Sequence, residues 1–381
     1  MRLSLSLLVA GLSLVACWYY LFAVYAAWRL FRWAPSPGRA ATPPVSLLKP
    51  LKGAPPDLYA NLATFCQLEY PVFQLLCGVK DPHDPAVAVV RRLQQNFPDR
   101  DIVLVINPEV IGQNHKVSTL YHLSRAAKYD ICVITDSDIR VEPNYLHAII
   151  PPLLAPEVGL VTCPYRASAT FPFPALLESL IITTSFTPST LVARLLEPTT
   201  YAFGATLAVK RQCLAAIGGF AALSDYLADD YYLGYFVARA GYQVCIVPHV
   251  VETQPDVATL TGLLSHQLRW ARTQRTCRPG GYLGTLVIHG TIWAVCGFSF
   301  FWSTAVLPFL ALATLGLRLV TATVIGKVFL RSPLPLLSFL LVPMADVVFF
   351  IVWCLSFCGN TVRWREHTFR ILEGGKMVRV S

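Results

Sequence analysis

Apolar positions fall along this chain in two textures. From Leu3 to Trp28 the sequence is almost free of charge. At 1.5 Å rise per residue such a run crosses a bilayer core of roughly 30 Å as a helix. From Val45 to about Thr276 the apolar runs become short and β-rich: Val45–Leu48, Phe73–Val79, Ile102–Ile106, Ile131–Thr135, Val158–Thr162 and Gln243–Val247. Helical stretches alternate with several of them, as in Pro85–Phe97 and Lys116–Lys128. That alternation predicts an α/β domain on a mostly parallel sheet. After Trp270 the texture turns membrane-like again, with a long uncharged run from Leu283 to Leu317 and a second apolar run from Leu334 to Cys358. The expected organisation is an anchor at 3–28, a Pro/Gly/Ala-rich linker at 29–44, the α/β domain at 45–276, two or three spans within 283–358, and a basic tail at 359–381. Within the domain, residues 171–201 differ. Phe171, Phe173, Leu176, Leu177, Leu180, Ile181 and Ile182 form an apolar stretch broken by Pro174 and Pro188, which suits core, an interfacial segment or part of a lipid groove, the latter two favoured.

The hydrophobic content of 55% belongs to those terminal runs. A cleaved signal peptide is the competing reading of the first. The run is too long for one, and bulky Trp18, Tyr19, Tyr20 and Phe22 stand where a small-residue cleavage site would lie. Arg29, Arg32, Arg39, Lys49 and Lys52 follow the span and only Arg2 precedes it, which places the domain in the cytoplasm by the positive-inside rule. The carboxy-terminal charges conflict. Arg318, Lys327 and Arg331 favour the inner face, and so do Arg363, Arg365 and Arg370, yet one span separates the groups. The net charge of +9 gathers beside spans and near the carboxy terminus. Anionic headgroups explain it, at about 1 kcal/mol per nearby basic side chain, and no nucleic-acid signature appears. The 11 cysteines are scattered without a CxxC pair, so they read as reduced, buried thiols.

Candidate chemistry lies in four short words: Asp81-Pro82-His83-Asp84, Asp136-Ser137-Asp138, Asp229-Asp230 and Gln267-Leu268-Arg269-Trp270. Ligands of open α/β sheets bind beyond the carboxyl ends of the strands, where the first two words fall. Asp136 and Asp138, two apart in extended backbone, share a face. They suit one hard cation, Mg²⁺ or Mn²⁺, or a metal and a ribose hydroxyl. Asp81 and Asp84 suit contact with a base or ribose, with turn chemistry as the alternative. Asn114 is a helix-capping candidate, Lys116 one to reach a nucleotide, and His115 a polar neighbour. Asp229 and Asp230 open a helix, where adjacent side chains point about 100° apart. One then serves helix-start electrostatics and the other faces an acceptor as general base. Gln267 and Trp270 share a face of a helix over Leu260–Gln274. Arg269 suits phosphate oxygens, and Trp270 suits the floor of a sugar or acceptor site. The competing reading is a basic amphipathic helix on the membrane, since Arg272, Arg275 and Arg278 follow. Together the words point to metal-assisted transfer from a sugar nucleotide onto a lipid.

Leu47-Leu-Lys-Pro-Leu-Lys-Gly53, Val79-Lys-Asp-Pro-His-Asp-Pro85, Asp136-Ser-Asp-Ile-Arg-Val141, Leu227-Ala-Asp-Asp-Tyr-Tyr-Leu233 and Gln267-Leu-Arg-Trp270 together resemble the ceramide glucosyltransferase family, a membrane branch of the inverting family 2/21 glycosyltransferases. Leu227–Leu233 and His266–Thr273 look most like the bacterial hopanoid-biosynthesis members. The resemblance implies a GT-A type fold, a UDP-sugar donor, a membrane-lipid acceptor and a bacterial inner-membrane location. It implies donor binding by Asp81, Asp84, Lys116, Asp136, Gln267, Arg269 and Trp270, metal ligation by Asp136 and Asp138, and Asp230 as base. Animal members carry Gly where Asp138 stands and His where Phe186 follows Thr184-Ser185. Glucose onto ceramide and N-acetylglucosamine onto a hopanoid polyol therefore both stay open. The rivals are a processive synthase of the cellulose or hyaluronan type, which has more spans, and a non-enzymatic membrane scaffold. No GxGxxG follows the first strand, which disfavours a dinucleotide oxidoreductase.

Overall fold

The computed structural model describes residues 2–32, 41–301, 306–364 and 367–380. Its strands, in chain order, are β1 (Val45–Pro50), β2 (Phe73–Val79), β3 (Asp101–Ile106), β4 (Ile131–Ile134), β5 (Ile139–Arg140), β6 (Val158–Thr162), β7 (Tyr165–Ala167), β8 (Leu207–Lys210), β9 (Gln243–Ile246), β10 (Val251–Thr253), β11 (Thr361–Trp364), β12 (His367–Ile371) and β13 (Met377–Arg379). Its helices are α1 (Arg2–Arg32), α2 (Leu58–Cys66), α3 (Ala86–Asn96), α4 (His115–Ala126), α5 (Tyr145–Leu153), α6 (Phe173–Ile181), α7 (Thr187–Leu196), α8 (Arg211–Ala216), α9 (Asp229–Arg239), α10 (Leu260–Cys277), α11 (Pro279–Gly284), α12 (Gly290–Phe301), α13 (Val306–Val324) and α14 (Val342–Ser356).

All six β-rich runs enter one seven-stranded sheet, ordered β3-β2-β1-β4-β8-β6-β9. Pairing is parallel from β3 to β4 and between β6 and β9. The inserted β8 runs antiparallel to both of its neighbours. Central strands covered on both faces carry continuous apolar runs, and β4 is buried along its whole length. A small sheet, β5-β10-β7, lies beyond the strand ends and pairs Thr253 with Ile139. Of the linker, residues 33–40, with Arg39, lie outside the described residues.

Stretches long and apolar enough to cross a membrane are Ser4–Arg32, Phe173–Leu196, Val306–Phe329 and Leu336–Ser356, with a further pair, Pro279–Ile288 and Gly290–Ser299, bent by 47°. The second of these is enclosed, with 89% of its apolar window buried inside the protein. Helices α1 and α13 run side by side in the same direction: Val9 packs on Leu307, Cys17 Sγ lies 3.4 Å from Thr314 Oγ1, and Phe31 stacks on Phe329. Helix α12 runs opposite to α1. A Cβ on Gly290 would stand 2.5 Å from the Tyr20 hydroxyl, and Gly297 faces Val9.

Arg318 lies inside α13 and is not a flanking charge. Its Nε and Nη2 donate to Asp346 Oδ2 and Oδ1 at 2.9 and 2.6 Å, and Thr291 Oγ1 donates to Asp346 Oδ2 at 2.5 Å. Its Nη1 donates to Thr184 O at 2.8 Å and its Nη2 to Ser185 Oγ at 2.8 Å. The Thr184 carbonyl needs that donor, because Pro188, four residues on, has no N–H to give it. The helix answers with a π turn at Ile182–Phe186, in which the Thr187 amide reaches back to Ile182 O.

The basic tail folds. Strands β11, β12 and β13 form an antiparallel sheet whose Val362, Phe369, Ile371 and Met377 bury Leu227. It docks just ahead of α9: Met377 N donates to Asp225 O at 2.8 Å, and Tyr232 Oη donates to Gly374 O at 2.7 Å. The arginines of α10 hold this tail. Arg272 donates to the carbonyls of Thr361 and Cys358, Arg275 to Gly359 O and Asn360 Oδ1, while Arg278 pairs with Glu197. These bonds account for the arginines without a membrane surface.

Candidate active site

The carboxyl edge of the sheet gathers the acidic words. Asp136 follows β4 and Lys116 stands in the first turn of α4. Lys116 Nζ lies 2.7 Å from Asp136 Oδ1 and 3.0 Å from Asp229 Oδ2. Burial alone would lower the Lys116 pKa, but Asp136, Asp229 and Asp230 together hold it above the usual lysine range. Helix α4 is fixed by Asn114, whose Oδ1 accepts from Val117 N at 3.1 Å and whose Nδ2 donates to Tyr226 O at 2.8 Å. One residue thus caps the helix bearing Lys116 and ties it to the approach of Asp229.

Gly204 joins the other carboxylates. Its amide donates to Asp230 Oδ2 at 2.8 Å, and its carbonyl accepts from Asp136 N at 3.3 Å. A Cβ there would stand 2.6 Å from Asp136 Oδ2 and 3.4 Å from Asp230 Oδ2. Only glycine lets both carboxylates close on this backbone. Asp230 Oδ1 accepts from Tyr231 N at 2.8 Å. Burial and the neighbouring Asp229 push the Asp230 carboxyl up to about 6, against the opposing pull of Lys116. The adjacent pair divides as helix geometry requires: Asp229 meets Lys116, and Asp230 meets Gly204.

Asp138 is half-buried, its Oδ2 accepting from Thr253 Oγ1 at 2.7 Å, and desolvation with the charge of Asp136 raises its pKa. Lys49, at the end of β1, is fully buried. Its Nζ donates to Asp136 O at 2.9 Å and sits 3.6 Å from the centre of the Phe65 ring. Burial lowers its pKa to about 7 despite Asp138. Asp84 ties two loops together, both oxygens accepting from Gly53 N at 2.9 and 3.1 Å while Oδ1 also accepts from Ala86 N at 2.9 Å. Asp81 is exposed and bonds His83 N at 2.8 Å. These are turn and cap contacts. His115 stands at a basic rim, where burial, then Lys80, His367, Lys52 and Arg379, lower its pKa.

Gln267, Arg269 and Trp270 approach from α10. Gln267 is buried and its Nε2 donates to Glu178 Oε1 at 2.7 Å, so its amide faces α6. Arg269 is half-buried beside it. The Trp270 ring lies 5.9 Å from Phe186, which lies 6.0 Å from Phe203, the residue before Gly204. Tyr165 closes the cluster at 5.4 Å from Phe186. Trp270 is thereby linked through packed rings to the backbone that holds Asp230. A recess beside it is lined by Ile181, Phe186, Gln267, Trp270, Ala271, Gln274 and Phe349. Sequence reasoning missed Lys49, Gly204, Tyr165, Thr253 and Glu178. Of these, Glu178 left a signal as an acid inside an apolar stretch.

The chain is 23% identical to ceramide glucosyltransferase 3 of Caenorhabditis elegans over 97% of its own length and 82% of that protein. It is 27% identical to ceramide glucosyltransferase 1 of the same organism over 62% of this chain and 51% of that one. Among solved structures it resembles the mannosyltransferase PcManGT of Pyrobaculum calidifontis, determined with GDP-Man and Mn²⁺, with a TM-score of 0.52 and 20% identity over 92% of this chain and 99% of that one. That likeness identifies the fold as GT-A type. The model of glycosyl transferase family 21 matches residues 8–377, and the chain belongs to that family.

Proposed function

We propose that this chain is a UDP-sugar-dependent, inverting hexosyltransferase acting on a hydroxyl of a membrane lipid, with glucose onto ceramide and N-acetylglucosamine onto a hopanoid polyol as the two candidate reactions. The observation that carries this reading is the convergence of Asp136 and Asp230 on Gly204, with Lys116 joining Asp136 to Asp229. A half-buried carboxyl with a raised pKa, as at Asp230, suits a general base. Asp230 takes the acceptor proton as the lipid oxygen attacks the anomeric carbon from the face opposite the leaving diphosphate. Lys116, Arg269 and the basic rim near His115 supply cationic partners for that diphosphate. Trp270 and Phe186 wall the acceptor side.

The donor set fits a hard cation. Asp136 and Asp138 each keep one oxygen not spent on Lys116 or Thr253, and Mg²⁺ or Mn²⁺ needs few protein ligands when phosphates and water supply the rest. Among the described residues no group of three His, Cys, Asp or Glu side chains is placed to bind a metal. When bound, the cation offsets charge on the departing diphosphate.

The domain then faces the cytoplasm, in this reading across a bacterial inner membrane. The stretch around 336–356 begins and ends beside the domain, since Leu330 O accepts from Arg166 Nη1 at 2.9 Å and Cys358 O accepts from Arg272 Nη2 at 2.7 Å. Among the described residues, only the bent pair at 279–299 and the helix at 306–329 then cross after the domain. With Arg318 inside its helix, Lys327 and Arg331 fall on the inner face together with Arg363 and Arg370 of the tail, which removes the apparent conflict.

Membranes carrying the protein, given UDP-glucose or UDP-N-acetylglucosamine with ceramide and hopanoid polyols, should form a lipid heavier by one hexose or one N-acetylhexosamine, detected by mass. UDP release without glycosylated lipid, or a growing polymer, would refute the reading. A Gly204→Ala change forces a methyl against Asp136 and displaces that carboxylate, with Asp230 left in ordinary contact. It should lower single-turnover rate by about 10²-fold with little change in melting temperature. An unchanged rate would separate Gly204 from the chemistry.

A further inference from the structure

Glu178, on α6, is fully buried. One of its oxygens is saturated: Oε1 lies 2.6 Å from His266 Nδ1 and accepts from Gln267 Nε2 at 2.7 Å. The other, Oε2, is buried and has no hydrogen-bond partner among the described residues. An acceptor left in that condition carries its full desolvation penalty, and such groups in native proteins mark a role or a missing partner. His266 and Gln267 precede Arg269 and Trp270 on α10, and the Trp270 ring lies 5.0 Å from His266. Gln267 also lines the apolar recess with Ile181, Phe186, Trp270 and Phe349. The Tyr165 pKa, raised first by burial, is raised further by Asp230, Asp138, Asp136 and Glu178, so Glu178 lies within electrostatic range of the same ring as the three site carboxylates.

We propose that Glu178 Oε2 is the acceptor-head subsite, taking a hydrogen bond from an N–H or O–H of the lipid adjacent to its reacting hydroxyl. This rests on the lipid-acceptor reading above. A carboxylate oxygen can only accept, so its ligand must donate. The recess is walled by α6, α10, the π turn and α14, and neither Lys116 nor Asp136 lines it. Its lining, aromatic and aliphatic apart from the uncharged Gln267 and Gln274, carries no cation and suits a lipid rather than a diphosphate. Gln267 then acts as a positioning residue, orienting Glu178 through its amide.

The test uses Glu178→Gln in the full-length protein in nanodiscs. The new amide keeps its oxygen toward His266 and Gln267 and turns only the unpartnered oxygen into an N–H donor, which repels a donating ligand. Dissociation constants are measured for short-chain ceramide and for a hopanoid polyol with UDP present, and separately for UDP-glucose and UDP-N-acetylglucosamine. For the lipid that the unmodified protein binds, affinity should fall at least about tenfold, with donor affinity unchanged. An N-methylated ceramide, or a polyol lacking the hydroxyl next to the reacting one, should bind both proteins alike, which tells an N–H from an O–H. Unchanged lipid affinity would overturn the proposal, and so would loss of donor binding, which marks a structural role, or an unmodified protein that binds neither lipid. Lipid binding that depends on Glu178 without sugar transfer would refute the transferase reading and leave this subsite standing. Transfer with lipid affinity unchanged in the variant would do the reverse.

Discussion

Replacing Asp230 by asparagine should lower kcat by about 10²- to 10⁴-fold, the usual contribution of a positioned general base, while leaving the UDP-sugar dissociation constant nearly unchanged. The substitution keeps the shape of the side chain and an oxygen for Gly204 N, at the cost of the bond from Tyr231 N, so the loss falls mainly on proton transfer. The pH profile gives a second reading. Burial, Asp229 and Asp136 raise the Asp230 pKa while Lys116 and the Tyr231 amide lower it, leaving it at about 6. The active form is the deprotonated one. Log kcat/KM should therefore climb with pH below about 6 and level off above it. The limb should vanish in D230N, and a divalent cation near Asp136 should move it to lower pH by favouring the charged carboxylate. The stability sign separates chemistry from folding. A folded-state pKa above the unfolded value means that the native protein holds the proton more tightly. That coupling favours folding below the ordinary carboxylate pKa and is lost as pH rises through about 6. Above that pH a neutral asparagine escapes the cost of a half-buried charge, which offsets the lost Tyr231 bond, so D230N should melt close to the parent at pH 7. A variant with full turnover would remove Asp230 from the mechanism.

Most of the sheet was legible because each central strand is covered on both faces and reads as an unbroken apolar run. Strand β8 was not. Leu207–Lys210 spans four residues and lies antiparallel between β4 and β6, so its identity comes from partners distant in sequence. The tail was hidden by its charge. Its apolar residues alternate too sparsely to announce strands, and its arginine contacts run from α10. Asp136, Lys116, Asp229 and Asp230 were all visible as words, and the fold brings these four together. Gly204 was invisible, because the need for a glycine arises only once two carboxylates from other elements press on it. Glu178 and Asp346 had been visible without being read. An acid inside an apolar run demands a partner, and Asp346 has Arg318 while Glu178 has His266 and Gln267.

Arg318→Leu should destabilise the protein by about 3–5 kcal/mol, the cost of stranding one member of a buried ion pair. The change does two separable things. It leaves Asp346 buried with Thr291 as its remaining partner, and it strips Thr184 O of the donor that Pro188 cannot supply. Adding Asp346→Leu removes the stranded charge and should restore most of that loss, because apolar replacement of a buried pair is often neutral or better. It cannot restore the Thr184 bond, so the double variant should remain about 1–3 kcal/mol short, the penalty of an unsatisfied buried carbonyl. Arg318→Lys retains a charge for Asp346 but lacks the fork that reaches Thr184 O, Ser185 Oγ and both Asp346 oxygens together. It should fold, yet loosen the π turn that carries Phe186 toward Trp270, raising acceptor KM more than donor KM. Thermal denaturation in detergent micelles measures the first two variants and steady-state kinetics the third. A double variant as unstable as Arg318→Leu alone would show that the carbonyl, not the ion pair, sets the cost. A lysine variant with unaltered acceptor KM would uncouple the intramembrane pair from the acceptor side of the site.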